Sequence, residues 1–353
     1  MNESTMKKPT LPLPKRRDVS IEPEAWVRAT APAPGVTTPF LLTPTMPGVT
    51  LASWAREQLP RVLELLHRHG ALLFRGFGID DAAKFAEVTR AVAGEPLAYE
   101  ERSSPRSAVS GNVYTSTDHP PTERIFMHNE QSYNQQFPLR LLFCCVTAAQ
   151  AEGSTPLADS RRIFRRVPVA IRERFGALGY LYVRNFGASF GLPWQVAFQT
   201  DERAEVEAYC RRNAIEVEWR SGDRLRTRQK RRVAGLHPFT GEPTWFNHAT
   251  FFHVSTLPCA TGDALRAALG DDELPNNTYY GDGSPIEADV LEELRAAYDG
   301  ERVELPWQRG DVMLIDNMLC AHGRAPFVGP RLVLAAMATP IPWSAVPELP
   351  VTR

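Results

Sequence analysis

The stretch IFMHNEQSYN, residues 125–134, places a histidine and a glutamate two apart, His128 and Glu130. On a strand, residues i and i+2 face the same side, and the flanks RIFM and QSYN read as strand. Both side chains then point into one cavity. An imidazole beside a carboxylate suits Fe(II), Mn or Zn. By itself the pair carries little, because His-x-Glu arises often by chance and two polar residues on a strand need bind nothing.

A metal site needs a third ligand, and His237, His248, His253 and His322 are the downstream candidates. His322 has the best surroundings. GDVMLIDN (310–317) reads as a turn and a strand, and His322 falls at or just beyond that strand's end, beside Gly323. Arg331 follows at the head of RLVLAAMA, another strand. Two antiparallel strands joined by a short loop bring His322 and Arg331 together. A guanidinium binds a carboxylate bidentately. Two histidines and one carboxylate leave three coordination positions open, as in non-heme Fe(II) oxygenases. A 2-oxo acid can fill two of them through its keto and C1 carboxylate groups, with its far carboxylate on Arg331 and oxygen in the last position. A Zn or Mn hydrolase could use the same three ligands without the cation, and a cupin-like module could bind without chemistry.

Other residues have both a site reading and a packing reading. WFNHATFFH (245–253) offers Trp245, Asn247 and His248 to a substrate or a lid, with Asn247 the best suited because its amide can read polar groups in a pocket. The alternative is local hydrogen bonding. Asn112, in GNVYTS, lines the pocket or pins a turn. Arg102 and Arg106 reach a substrate carboxylate or are surface charges. The stretch RSGDRLRTRQKRRV (220–233) holds Arg220, Arg224, Arg226, Arg228, Lys230, Arg231 and Arg232. It is either a docking surface for an acidic carrier protein bearing a tethered amino acid or a solvated hairpin face. No aromatic residues interleave it, which argues against single-stranded nucleic acid.

The elements that must position these groups follow from pattern and composition. With 353 residues, 43% hydrophobic and 23% charged, the chain is globular in composition. A formal charge of −1 gives no reason to expect nucleic acid or an anionic membrane as partner. Five cysteines without a C-x-x-C spacing, with Cys144 and Cys145 in the apolar run LRLLFCCVTA, predict buried free thiols at that pair and a reduced, cytoplasmic setting. The basic first residues carry no signal-peptide core. No apolar run approaches the ~20 residues of a membrane helix. Residues 1–48, rich in Pro and Thr, read as an arm of irregular chain or short strands. SWAREQLPRVLELLHRHG is a helix, ALLFRGFG a strand, and DDAAKFAEVTRAVA a helix with Asp80 as N-cap. Residues 107–159 are β-rich. SRRIFRRVPVAIRERFGALG is helical and divided at Pro168, YLYVRNF is a strand, and the basic stretch is a hairpin. No linker cuts the chain. One domain over 49–345 is expected, with 160–300 a helical insertion and partial lid, and 346–353 a tail.

Five segments together carry a family likeness: HGALLFRGFGI (69–79), GNVYTSTDHPPTERIFMHNEQSY (111–133), AEGSTPLADSRRIF (151–164), EPTWFNHATFFH (242–253) and LIDNMLCAHGRAPFVGPRLVLAAM (314–337). Here the chain resembles the taurine dioxygenase and clavaminate-synthase-like family of Fe(II)/2-oxoglutarate oxygenases, in the branch of syringomycin-type hydroxylases found beside peptide-antibiotic pathways. The resemblance implies a mainly β fold, a double-stranded β-helix (jelly-roll) core with helices outside and the iron in the mouth between its sheets. It implies His128, Glu130 and His322 as iron ligands, with Thr155 and Arg331 holding 2-oxoglutarate and O2 as co-substrate. Some relatives have a further Arg where this chain has Ala335, so the salt bridge rests on Arg331, with Arg324 as substitute. Related halogenases leave the carboxylate position empty for chloride, so Glu130 argues against halogenation. The implied reaction is hydroxylation of an unactivated C–H bond of an amino acid, free or carrier-bound, in specialised metabolism. Desaturation, cyclisation, or action on another carboxylate or a sulfonate would use the same core.

Overall fold

The computed structural model describes residues 23–98, 101, 108–116, 119–187 and 191–350. Arg102 and Arg106 lie outside the described residues. The main sheet has eight strands in the order Val27–Thr30, Phe40–Pro44, Ala71–Phe74, Val312–Asp316, Gln136–Thr147, Leu332–Pro342, Val113–Thr115 and Ala108–Ser110. All neighbours are antiparallel except Phe40–Pro44 beside Ala71–Phe74. The short strands expected within 1–48 therefore belong to the main sheet, which begins before residue 49. A smaller sheet, Ile125–His128, Cys320–Arg324 and Leu157–Asp159, completes the jelly roll.

The period-2 alternation of the central strands decides which side chain enters which core. Leu73, Leu141, Phe143, Cys145, Met313 and Ile315 pack with Leu157 and Cys320 of the smaller sheet. Their neighbours Leu72, Phe74, Leu142, Cys144, Val312 and Leu314 pack instead with Trp54, Leu65 and Phe85 of the helices on the outer face. Burial pushes the thiols of Cys144 and Cys145 up to about 12 and about 11, so both are inert.

Helices Leu51–Glu57 and Leu59–His69 meet at Gln58, with a proline in the first turn of the second. Gly70 ends the second helix at φ 74, a left-handed conformation that favours glycine. Helix Ala82–Ala93 is capped by Asp81, not by Asp80 as expected: the Asp81 carboxylate accepts from the Lys84 N–H at 2.8 Å. Asp80 stands one residue too early to reach it and pairs with Lys84 Nζ at 2.7 Å.

Residues 160–300 are a mixed insertion. Helices Ser160–Arg166 and Val169–Leu178 divide at Pro168 as expected. Strands Glu216–Arg220, Arg224–Arg231, Tyr180–Phe186 and Asn276–Tyr280 form a separate four-stranded sheet. Its Tyr180, Tyr182 and Tyr280 join Phe126, Met127 and Ala321 in one apolar cluster, so the insertion covers the outer face of the smaller sheet. The basic stretch is the expected hairpin, but its charges are largely spent within the fold. Arg220 and Arg228 pair with Glu218, and Arg224 and Arg226 pair with Glu273. Arg231 donates to the carbonyls of Tyr133 and Asn213, and Arg232 to that of Val346. That leaves Lys230 as the one member of the stretch without such a partner among the described residues. Glu218 and Glu273 thus offset part of the positive charge that the hairpin would offer an acidic carrier. No helix among the described residues is long and apolar enough to cross a membrane.

Candidate metal centre and its two cavities

His128 ends the first strand of the smaller sheet and lies directly opposite His322 on the second. Gly323 permits this register: a Cβ there would stand 2.6 Å from the Ile125 carbonyl oxygen. The rings of His128 and His322 are 4.5 Å apart. Glu130 is not on the strand, contrary to expectation, but in the turn that follows. The i, i+2 geometry of a strand is therefore not what aims it. Asn317 does that. Its Oδ1 accepts the Glu130 N–H at 2.8 Å, and its Nδ2 donates to the carbonyls of Glu130 and Pro138, each at 2.8 Å. The adjacent Asn129 returns a bond to the Asn317 carbonyl at 2.7 Å. So clamped, Glu130 brings Oε2 to 4.0 Å from His322 Nε2.

One ligand atom from each of His128, Glu130 and His322 lies within 4.8 Å of the others. The donor set, two imidazoles and one carboxylate in a buried corner, fits a divalent iron with open positions. The His128 Nδ1–H donates to the Phe126 carbonyl at 2.9 Å, which fixes the tautomer and leaves Nε2 as the nitrogen able to take a metal.

Two cavities meet at this corner. The smaller is bordered by His128, His322, Thr155, Arg324, Arg331 and Ser116. Arg331 donates to the Gly153 carbonyl at 2.9 Å and to Ser116 Oγ at 3.3 Å. Among the described residues no carboxylate is within ion-pairing distance of it. Burial, then the nearby Arg324, pushes its pKa down to about 10. A half-buried cation without a counter-ion is a ready anion site. Arg324 is occupied otherwise, donating to the carbonyls of His119 and Glu123 at 2.8 Å and of Pro120 at 2.5 Å. Thr155 Oγ1 accepts from Trp307 Nε1–H at 3.1 Å, which leaves the hydroxyl proton to be donated. Ala335 is buried on the main sheet opposite Phe143 and supplies no second cation.

His322 and Arg331 meet differently from the hairpin expected. Strand Cys320–Arg324 lies in the smaller sheet and Leu332–Pro342 in the main one. The chain between them crosses the sandwich, so the two residues border one cavity from opposite layers.

The larger cavity is bordered by His128, Glu130, His248, Phe251, Phe252 and Arg295, among others. His248 is buried beside His128, with ring centroids 5.6 Å apart, and its Nδ1 lies 2.6 Å from Ser132 Oγ. Burial, then the neighbouring histidines, pushes its pKa well down, so it stays neutral. The Phe251 ring is 4.4 Å from that of His128.

The other candidates fall elsewhere. Asn247 spends its amide on the backbone, donating to the Val233 carbonyl and accepting from the Ala249 N–H, both at 2.9 Å. Its buried turn needed those partners. Asn112 pins a turn, donating to the Pro96 carbonyl at 2.8 Å, and borders neither cavity. Trp245 is fully buried against Phe175. His237 pairs with Asp316 at 3.1 Å, away from the ligand cluster. His253 Nδ1 accepts from the Ser255 N–H at 3.1 Å and caps a short turn. Reading the sequence missed Asn317, Trp307, Phe143 and Ser116. The first stood in the quoted segment LIDNM, where an Asn just past an apolar strand was the available signal.

Residues 34–337 match the family described as "Taurine catabolism dioxygenase TauD, TfdA family". The chain is 42% identical over 282 residues to the dapdiamide synthesis protein DdaC of Enterobacter agglomerans, covering 80% of this chain and 86% of that one. It is 30% identical over 322 residues to a clavaminate synthase-like protein of Arabidopsis thaliana, covering 87% and 93%. The solved structure of PvcB from Pseudomonas aeruginosa superposes with a TM-score of 0.52 at 15% identity, covering 91% and 92%. A putative alpha-ketoglutarate dependent 2,4-D dioxygenase from Burkholderia xenovorans gives 0.50 at 15% identity, covering 88% and 96%. With the family match spanning most of its length, the chain belongs to the TauD/TfdA family and is an Fe(II)/2-oxoglutarate-dependent dioxygenase.

Proposed function

We propose that this dioxygenase hydroxylates an unactivated C–H bond of a small amino-acid-like substrate in a biosynthetic pathway. His128, Glu130 and His322 hold the iron, Arg331 and Thr155 hold 2-oxoglutarate in the smaller cavity, and the substrate occupies the larger one. The observation that carries the reading is the convergence of the three ligand atoms where those two cavities meet. The relative named for dapdiamide synthesis supports a biosynthetic role.

Each residue has a physical task. Arg331 neutralises the far carboxylate of 2-oxoglutarate, and Thr155 donates its hydroxyl proton, oriented by Trp307. Phe143, whose ring is 5.2 Å from His322, and Phe251 wall the centre with apolar surface and keep water out. Neutral His248 adds no charge to the substrate side. Iron held by these three ligands would supply, with O2 and 2-oxoglutarate, the oxidising power for the C–H bond, with succinate and carbon dioxide as co-products. Glu130 occupies the carboxylate position, which leaves none vacant for chloride and favours hydroxylation.

The test is anaerobic titration of metal-free protein with Fe(II) and 2-oxoglutarate, following the weak visible charge-transfer absorbance. The band is expected in the native protein, absent in His128→Ala and weakened in Arg331→Ala. Iron binding without a band would overturn the assignment and favour a hydrolytic metal site.

A further inference from the structure

The larger cavity's charges can be paired off one by one. Arg124 pairs with Asp299 at 3.2 Å, and His119 with Glu123 at 3.1 Å. His128 and Glu130 belong to the metal cluster. His248 lies against the metal cluster with its Nδ1 2.6 Å from Ser132 Oγ, and His253 caps its own turn through Nδ1 and is pushed down by burial to about 4. Arg295 remains. Among the described residues it has no carboxylate within ion-pairing distance, and its Nη1 donates to Ser255 Oγ at 3.1 Å.

Its surroundings favour an anion. His253 Nδ1 accepts from the Ser255 N–H and lies 2.8 Å from Ser255 Oγ, so the ring proton is on Nε2, a further donor on this cavity. The segment from His248 to Leu257 runs along the cavity. It begins beside His128 with His248, passes the rings of Phe251 and Phe252, and reaches Ser255 and Arg295. Leu257, Leu265 and Leu274 extend the apolar lining. The iron corner is therefore walled by rings, and the free cation is held by the far part of the same segment.

We propose that Arg295 anchors the carboxylate of the substrate, with Ser255 and His253 beside it, and that the oxidised carbon belongs to the substrate's apolar part. This rests on the proposed function of the same site and names its substrate class: a carboxylate with an apolar side chain, presented side chain first to the iron. Arg295 is a binding residue, so its loss acts on KM more than on kcat.

The experiment measures succinate release above the substrate-free rate for a panel of aliphatic and aromatic L-amino acids and their carboxamides. Acids are expected to stimulate release and the matching amides to fail. For the best acid, Arg295→Gln should raise KM by about 10- to 100-fold, the loss of one charge-assisted anchor, with Arg295→Lys recovering part of it. Equal stimulation by acid and amide, no stimulation by any acid, or an unchanged KM in Arg295→Gln would overturn the proposal. The anaerobic Fe(II)/2-oxoglutarate band, recorded on each variant, separates the failures. A missing band in the native protein refutes the metal-site reading. A normal band with the wrong panel result refutes only the Arg295 assignment.

Discussion

Replacing Asn317 by Ala removes the clamp on Glu130 without touching a proposed ligand. The side chain is fully buried and serves three backbone groups: the N–H and carbonyl of Glu130 and the carbonyl of Pro138. Each buried group left unpaired costs at least about 1 kcal/mol, so the loss should reach about 3 kcal/mol. That is a large share of the roughly 5–15 kcal/mol that holds a domain folded. The freed turn also lets Glu130 drift from His322, and iron affinity should fall about 10- to 100-fold, as for other supporting partners of metal ligands. Urea unfolding of the metal-free protein gives the first quantity, and anaerobic Fe(II) titration below the unfolding range gives the second. A stability loss under about 1 kcal/mol would show that water or a rearranged turn satisfies the three groups. A full stability loss with iron affinity unchanged would show that Asn317 supports the fold and not the geometry of Glu130.

Gly323→Ala should be more damaging than an added methyl group suggests, because its Cβ would stand 2.6 Å from the Ile125 carbonyl oxygen, with backbone and not a flexible side chain in the way. A cost of about 1–3 kcal/mol and loss of the Fe(II)/2-oxoglutarate band are expected, measured by unfolding and by anaerobic absorbance. Trp307→Phe keeps the ring but removes the donor to Thr155, and should weaken 2-oxoglutarate binding about fivefold in the same titration, the worth of one hydrogen bond of about 1 kcal/mol. The third concerns acid. Burial alone would raise the pKa of Asp316, but Arg140 and His237 outweigh it and hold the carboxylate down at about 2. A depressed folded pKa contributes stability that is complete above the unfolded value, near 3.9, and is lost as pH falls through the folded one. Urea midpoints should therefore drop between about pH 4 and pH 2, and Asp316→Asn should flatten that drop.

The local patterns were legible because they depend on near neighbours. Pro168 divided its helix, YLYVRNF and VMLID formed strands, and the basic stretch made a hairpin. The expectations that differed turned on the exact start of an element or on a partner in another one. Asp80 and Asp81 are equivalent caps on paper, and the first helical residue selects between them. Asn247 looked like a reader of substrate until its buried turn claimed the amide, and Asn112 likewise served the Pro96 carbonyl. The arginines of 220–232 read as a docking surface or a solvated face, because the Glu218, Glu273 and carbonyl partners that engage them follow from strand pairing and from other elements.

The residue types of the candidate centre are legible in the chain alone. His128, Glu130 and His322, with Arg331 and Thr155, were named from type, spacing and family likeness, and all five border the two cavities that meet there. How they meet depends on the packing of distant elements. Glu130 is aimed by Asn317 from far along the chain, not by strand alternation. Arg331 approaches from the opposite sheet, not along a hairpin. Spacing fixes direction only within one regular element; across a turn or a sandwich, direction is set by which buried groups must find partners, and those lie far away in the chain.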